Sequence, residues 1–187
     1  MKKILSVLTV FFALAAVFAT FAACEIDESK TQLETPTIAS QVYTGSKLTA
    51  VVPQNDGYEI VSNEGGTDVG EYDVVLKLSD ETNYEWATPD SDDATKVTLK
   101  FAITKAPNQI TALSLEGWAY GEEPKMPVAT AQFGTPTFAY SGTADGTFVE
   151  TVPTAAGSYF VKAKVVATAN YDGAEKTAEF KIARIPL

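Results

Sequence analysis

The chain contains no histidine, one cysteine and two methionines in 187 residues, and it carries 14 basic against 24 acidic side chains. Each shortage removes a class of function. Without histidine there is no imidazole acid/base catalysis and no histidine metal site. A single cysteine forms no intrachain disulfide and no thiolate zinc cluster. A formal net charge of −10 works against nucleic-acid binding, which requires cations to neutralise phosphates. No glycine-rich phosphate loop is present, because Gly65-Gly66 is not followed by Gly-Lys-Ser/Thr. Serines have no histidine partner, and carboxylate pairs among so many acids have no recognisable catalytic context. The chain therefore reads as a non-enzyme with no cofactor.

What is present begins at the N-terminus. Met1-Lys2-Lys3 precedes an apolar run from Ile4 to Ala23, interrupted only by Ser6, Thr9 and Thr20. Lysines, an apolar stretch and closing small residues are the parts of a secretory signal. The run is also about long enough, at ~20 residues, to span a bilayer. The sole cysteine closes it, in Phe21-Ala22-Ala23-Cys24. This ending resembles a bacterial lipobox, which implies lipidation of Cys24 as the first mature residue and attachment to a membrane through its acyl chains. Cleavage there removes Lys2 and Lys3 and no acid, so the mature chain carries 12 basic and 24 acidic residues, net −12. That charge keeps an exported surface soluble. Residues 25–35 are polar and lack apolar periodicity, so they read as a flexible tether.

The rest repeats itself. Gly70-Glu71-Tyr72-Asp73-Val74 recurs as Gly157-Ser158-Tyr159-Phe160-Val161, and Asn83-Tyr84 recurs as Asn170-Tyr171, both at an offset of 87. Phe101-Ala102-Ile103-Thr104-Lys105 recurs as Phe180-Lys181-Ile182-Ala183-Arg184 at an offset of 79, which leaves the acidic loop Thr88–Asp93 as an excess in the first copy. Period-two alternation dominates. Val97, Leu99, Phe101 and Ile103 alternate with Lys96, Thr98, Lys100 and Ala102, and the same holds around Tyr72–Leu78, Tyr159–Val165 and Ala178–Ile182. Shorter strands are expected at 38–43, 47–52, 58–62, 110–115, 137–141 and 147–152, with turn residues between them.

The expected fold is all-β: two tandem small antiparallel immunoglobulin-like β-sandwiches after a lipoprotein signal peptide. The divisions are a signal peptide over 1–23, lipidated Cys24 and tether over 24–35, module one over 36–105 and module two over 106–187. Glycine in Gly-x-Tyr is expected to permit a backbone turn, with the tyrosine hydroxyl tying a neighbouring loop, by analogy with the tyrosine corner of immunoglobulin-like sandwiches. Asparagine in Asn-Tyr is expected to tolerate left-handed geometry at a turn.

The pattern Gly-x-Tyr-x-Val, Asn-Tyr and Phe-x-Ile-(Thr/Ala)-(Lys/Arg), with Gly117-Trp118-Ala119-Tyr120-Gly121 and Tyr140-Ser141-Gly142, resembles the immunoglobulin-like MBG-type modules of bacterial surface proteins. The resemblance covers residues 36–184. It implies spacer or adhesive units on the outer face of a cell membrane, in a Gram-positive bacterium, facing a surface protein or glycan and no nucleic acid. An alternative is a carbohydrate-binding accessory lipoprotein using exposed aromatics. Trp86, Trp118 and Tyr120 are the candidate sugar platform, against plain packing in a core or between modules. Asp90, Asp92 and Asp93 offer oxygens to Ca²⁺, against a solvated loop; their spacing lacks the glycine and terminal glutamate of an EF-hand.

Overall fold

The computed structural model describes residues 29–185, so the segment expected to be a signal peptide, residues 1–23, and Cys24 lie outside the described residues. Within them the chain is all-β, with no helix.

Twelve strands follow in order: β1 (Thr31–Leu33), β2 (Gln41–Val42), β3 (Tyr58–Asn63), β4 (Gly70–Leu78), β5 (Tyr84–Trp86), β6 (Lys96–Thr104), β7 (Ile110–Ser114), β8 (Trp118–Ala119), β9 (Val128–Ala131), β10 (Thr137–Ser141), β11 (Gly157–Val165) and β12 (Ala174–Ala183). They form two four-stranded sheets, β3-β4-β6-β2 and β10-β11-β12-β8, and two pairs, β1-β5 and β7-β9. The larger sheets draw on separate halves of the chain and share one plan. In each, two hairpin-like antiparallel pairings are followed by a short parallel strand. Register repeats as well: Gly70 faces Ile103 and Tyr72 faces Phe101, while Gly157 faces Ile182 and Tyr159 faces Phe180.

The alternating residues are buried as the period requires. Val74, Leu76, Val97, Phe101 and Ile103 fill the first core, joined by Trp86 from β5. Val161, Phe180, Ile182 and Trp118 fill the second, with a smaller cluster of Ile110, Ala163 and Val165 beside it. Each fully buried aliphatic or aromatic side chain contributes on the order of 1.5–3 kcal/mol over its exposed state.

Three expectations need correction. The sheets are mixed, because β2 and β8 join parallel to β6 and β12. Strands expected over 47–52 and 147–152 reduce to single bridges, Leu48 to Gly66 and Val149 to Tyr140. Part of the stretch expected as a flexible tether is strand: Thr31–Leu33 pairs parallel with Tyr84–Trp86, and Leu33 packs on the first core. The physical reason is that Leu33 is the one large apolar side chain between Asp27 and Thr37, and three ladder positions suffice to hold it down.

Candidate functional site

The aromatic platform expected from Trp86, Trp118 and Tyr120 does not assemble. Trp86 is buried, lies 5.5 Å from the Tyr58 ring, and donates its Nε1–H to the Thr95 carbonyl at 3.1 Å. Trp118 is buried and stacks on Phe180 with ring centroids 5.4 Å apart. Only Tyr120 is open, at 53% exposure. Strand β8 ends at Ala119, and the chain turns at once through Glu122 N–H to Ala119 O (3.0 Å) and Gly121 at φ +89°. The face shared by positions two apart on a strand therefore does not extend to Tyr120.

The acidic loop spends its oxygens internally. Asp90 accepts from Thr98 N–H and Oγ1–H at 3.0 and 2.7 Å, and Asp93 accepts from Thr95 N–H and Oγ1–H at 3.0 and 2.7 Å. Lys96 lies 2.7 Å from Asp93, and its hydrogen bond, first among several, holds the Asp93 carboxyl far below the usual carboxylate range. Among the described residues no group of three or more acidic or sulfur side chains is placed to hold a metal ion.

The repeated residues do converge on a site, by a different chemistry from the one expected. Gly70 and Gly157 open β4 and β11 and are not among the glycines with left-handed φ. At Gly70 the Tyr72 atom nearest to an added Cβ is 3.7 Å away, an ordinary contact, whereas at Gly157 a Cβ would lie 3.2 Å from Tyr159 Cε2, so the ring would have to give slightly. At Gly66 the clearance is smaller still, with a Cβ falling 2.0 Å from Tyr72 Cζ. The tyrosine hydroxyls tie their loops as expected: Tyr72 donates to the Asp68 carbonyl at 2.8 Å and Tyr159 to the Ala155 carbonyl at 3.0 Å, at the same offset of 87.

Asn83 and Asn170 are likewise not left-handed, since no non-glycine residue described has positive φ. Each presents its carbonyl to the segment that enters its half of the fold: Thr31 N–H reaches Asn83 O at 2.8 Å, and Ala106 N–H reaches Asn170 O at 2.9 Å. Their side chains then part company. Asn83 Nδ2 donates to Asp80 within its own half, and the Asp80 carboxylate also takes Thr82 N–H at 2.8 Å. These bonds, the Thr82 one foremost, lower the Asp80 pKa. Ala167 stands where an acid at the same offset would be. Asn170, with no such acid to hold it, reaches across: Val69 N–H donates to its Oδ1 at 3.0 Å, and its Nδ2 donates to Asp68 Oδ1 at 2.9 Å.

The junction has an apolar component too. Tyr171 meets Tyr43 edge to face at 5.4 Å and stacks on Phe133 at 4.0 Å. Asp172 N–H closes on Ala106 O at 2.9 Å. Tyr72, Asp68, Asn170 and Ala106 thus form one connected run of hydrogen bonds from the first sheet into the second half. The sequence marks Asn170 only as a turn residue of the repeat, and it does not mark Asp68. The signal that finds them is the failure of the repeat at two positions, Asp68 against Ala155 and Asp80 against Ala167.

No family model, no curated protein and no solved structure matches this chain.

Proposed function

We propose that this chain is a non-enzymatic surface protein, attached to the outer face of a bacterial membrane through lipid on Cys24, whose two immunoglobulin-like sandwiches form a stiff spacer that holds the far end of the chain clear of the bilayer. The observation that carries the reading is the Asn170 bridge. A repeat used only to fill a fold needs no bond between copies, whereas a spacer transmits position only if its units are held to one another. Interfaces between domains of one chain are otherwise loose by default. Two four-stranded sheets of the same strand order and register, each on its own core, support the tandem-sandwich assignment. Burial of Trp86 and Trp118 removes the support for a sugar platform built on them.

The test is expression of the full chain in a Gram-positive host with labelled palmitate. Wild type is expected in the membrane fraction and labelled, and Cys24→Ala unlabelled and released. Equal labelling of the two sinks the anchor. Stiffness is read separately, from spin-label distances between the halves. A narrow distribution supports a spacer, and a broad one refutes it.

A further inference from the structure

A cleft of about 520 Å³ opens in the second half, where the turn after β9 meets the end of β11. Its lining takes in Val165 of the smaller core cluster and Phe133 and Tyr171 from the apolar side of the junction. Its size lies within the range of small-molecule sites, about 300–1,000 Å³. Phe133 and Tyr171, stacked at 4.0 Å, contribute its aromatic wall. That wall is set in advance. Asn108 Nδ2 donates to Phe133 O at 3.0 Å, and Phe133 N–H donates to Asn108 Oδ1 at 3.1 Å. Gly134 follows at φ +79°, and a Cβ there would lie 2.8 Å from Val165 Cγ1, so the loop is seated hard against β11. Thr168 Oγ1 accepts Tyr171 N–H at 3.1 Å, which leaves the hydroxyl proton of Thr168 free to donate.

The charge in the cleft is of one sign. Lys164 is the only charged residue lining it. Its Nζ lies 3.0 Å from Glu175 Oε1, and Lys162 lies 3.5 Å from the same carboxylate. Two ammonium groups share one acid, so this is a locally cationic spot on a chain of net charge −10. An ammonium has three donors and one is used. The second cleft, beside Tyr140 and Tyr159, measures about 410 Å³ and is lined by no charged residue, so nothing in it selects a class of ligand.

A rigid aromatic wall, hydroxyl donors and one cation match a sugar ring that presents a C–H face, hydroxyls and a carboxylate. We propose that this cleft binds an acidic oligosaccharide, with a uronate carboxylate on Lys164 and a ring against the Phe133–Tyr171 wall. The site uses different residues from the platform that failed to form, and it depends on neither the lipid on Cys24 nor the spacer role.

The full chain is titrated at low salt with trigalacturonate and with a hyaluronan tetrasaccharide, using neutral galactotriose as the comparison. Calorimetry supplies affinities and amide chemical shifts supply location. At least one uronate probe is expected to bind about tenfold or more tighter than the neutral sugar, the worth of one charge-assisted hydrogen bond. Shifts should centre on Phe133, Lys164 and Tyr171. Lys164→Gln, which gives up only the exposed ion pair with Glu175, is expected to lose about tenfold in affinity with the fold kept and the melting temperature lowered slightly. Phe133→Leu is expected to weaken binding of every probe. The proposal is overturned if neither uronate probe binds saturably, if the neutral sugar binds as well, or if Lys164→Gln keeps wild-type affinity.

Discussion

Asn170→Ala isolates the bridge between the halves. The substitution leaves the backbone carbonyl that takes Ala106 N–H and removes two side-chain bonds, Val69 N–H to Oδ1 at 3.0 Å and Nδ2 to Asp68 Oδ1 at 2.9 Å. The first is partly buried, so its loss is set at about 1 kcal/mol, a typical net hydrogen bond. The second involves a charge but is exposed, and solvent screening reduces it to about 0.5–1 kcal/mol. The coupling between halves therefore falls by about 1.5–2 kcal/mol, more than a tenfold change in the equilibrium between joined and parted halves. The Tyr43–Tyr171 pair, worth about 0.5–1.5 kcal/mol, is untouched and keeps some coupling.

Scanning calorimetry of the full chain reads this directly. Wild type is expected to unfold with strongly overlapping transitions, and Asn170→Ala with transitions that separate. Asn83→Ala is the control. It loses only bonds within the first half, so it should lower that half's melting temperature without altering the coupling. A double-mutant cycle of Asp68→Ala with Asn170→Ala should give an interaction of about 0.5–1 kcal/mol. The argument fails if Asn170→Ala and wild type superimpose, if the cycle closes to within about 0.3 kcal/mol, or if Asn83→Ala separates the transitions equally well.

Four further outcomes follow from the geometry. Tyr72→Phe and Tyr159→Phe each lose one hydroxyl-to-carbonyl bond and should each cost about 0.5–1.5 kcal/mol in urea unfolding, with no effect meaning that the loops do not depend on those ties. Gly66→Ala should destabilise by about 1–3 kcal/mol because its methyl would overlap the Tyr72 ring, while Gly142→Ala, with nothing within 4 Å, should be neutral; equal effects in denaturant melts would contradict this. Leu33→Ala should cost about 1–3 kcal/mol, a partly buried version of a leucine truncation, and proteolysis should then reach residues 29–36; unchanged protection would mean that β1 contributes nothing. Asp80, Asp93 and Glu175 have folded pKa values below their ordinary ones, Glu175 chiefly through the Lys164 hydrogen bond. Their stabilisation is complete above the unfolded carboxylate pKa of about 4 and is lost as pH falls through the lower folded values. With no histidine in the chain, stability from pH 5 to 8 should be level, and a midpoint near pH 6 in an acid-unfolding curve would refute the assignment.

Legibility in the sequence followed the length of each element. The nine- and ten-residue strands β4, β6, β11 and β12 announce themselves because a sheet with one wet face imposes a period of two, and that period needs several residues to show. Strands of two to four residues, such as β1, β5, β8 and β9, carry too few positions for any period, and the parallel ones have no hairpin turn to mark them. Tyr72 and Tyr159 were readable down to their hydroxyl bonds. The glycines of the same motif are less legible: neither has a left-handed φ, and the glycine that a tyrosine ring does require is Gly66, outside the repeated unit. The junction was hidden for another reason. Asn83 and Asn170 are the same residue in the same motif, and what separates their roles is an aspartate three positions earlier in one copy and an alanine in the other.

The parallel pairing at the start of each half bears on how the fold carries load. A pull on the N-terminal end enters through β1, whose hydrogen bonds to β5 lie across the direction of pull. They must be sheared together rather than peeled one by one. Ala106 against Tyr171 repeats the arrangement where the chain passes into its second half. Tension along the molecule therefore meets a shear clasp at each entry, and a chain tugged at its two ends should yield in steps, one for each half, instead of unravelling from a terminus.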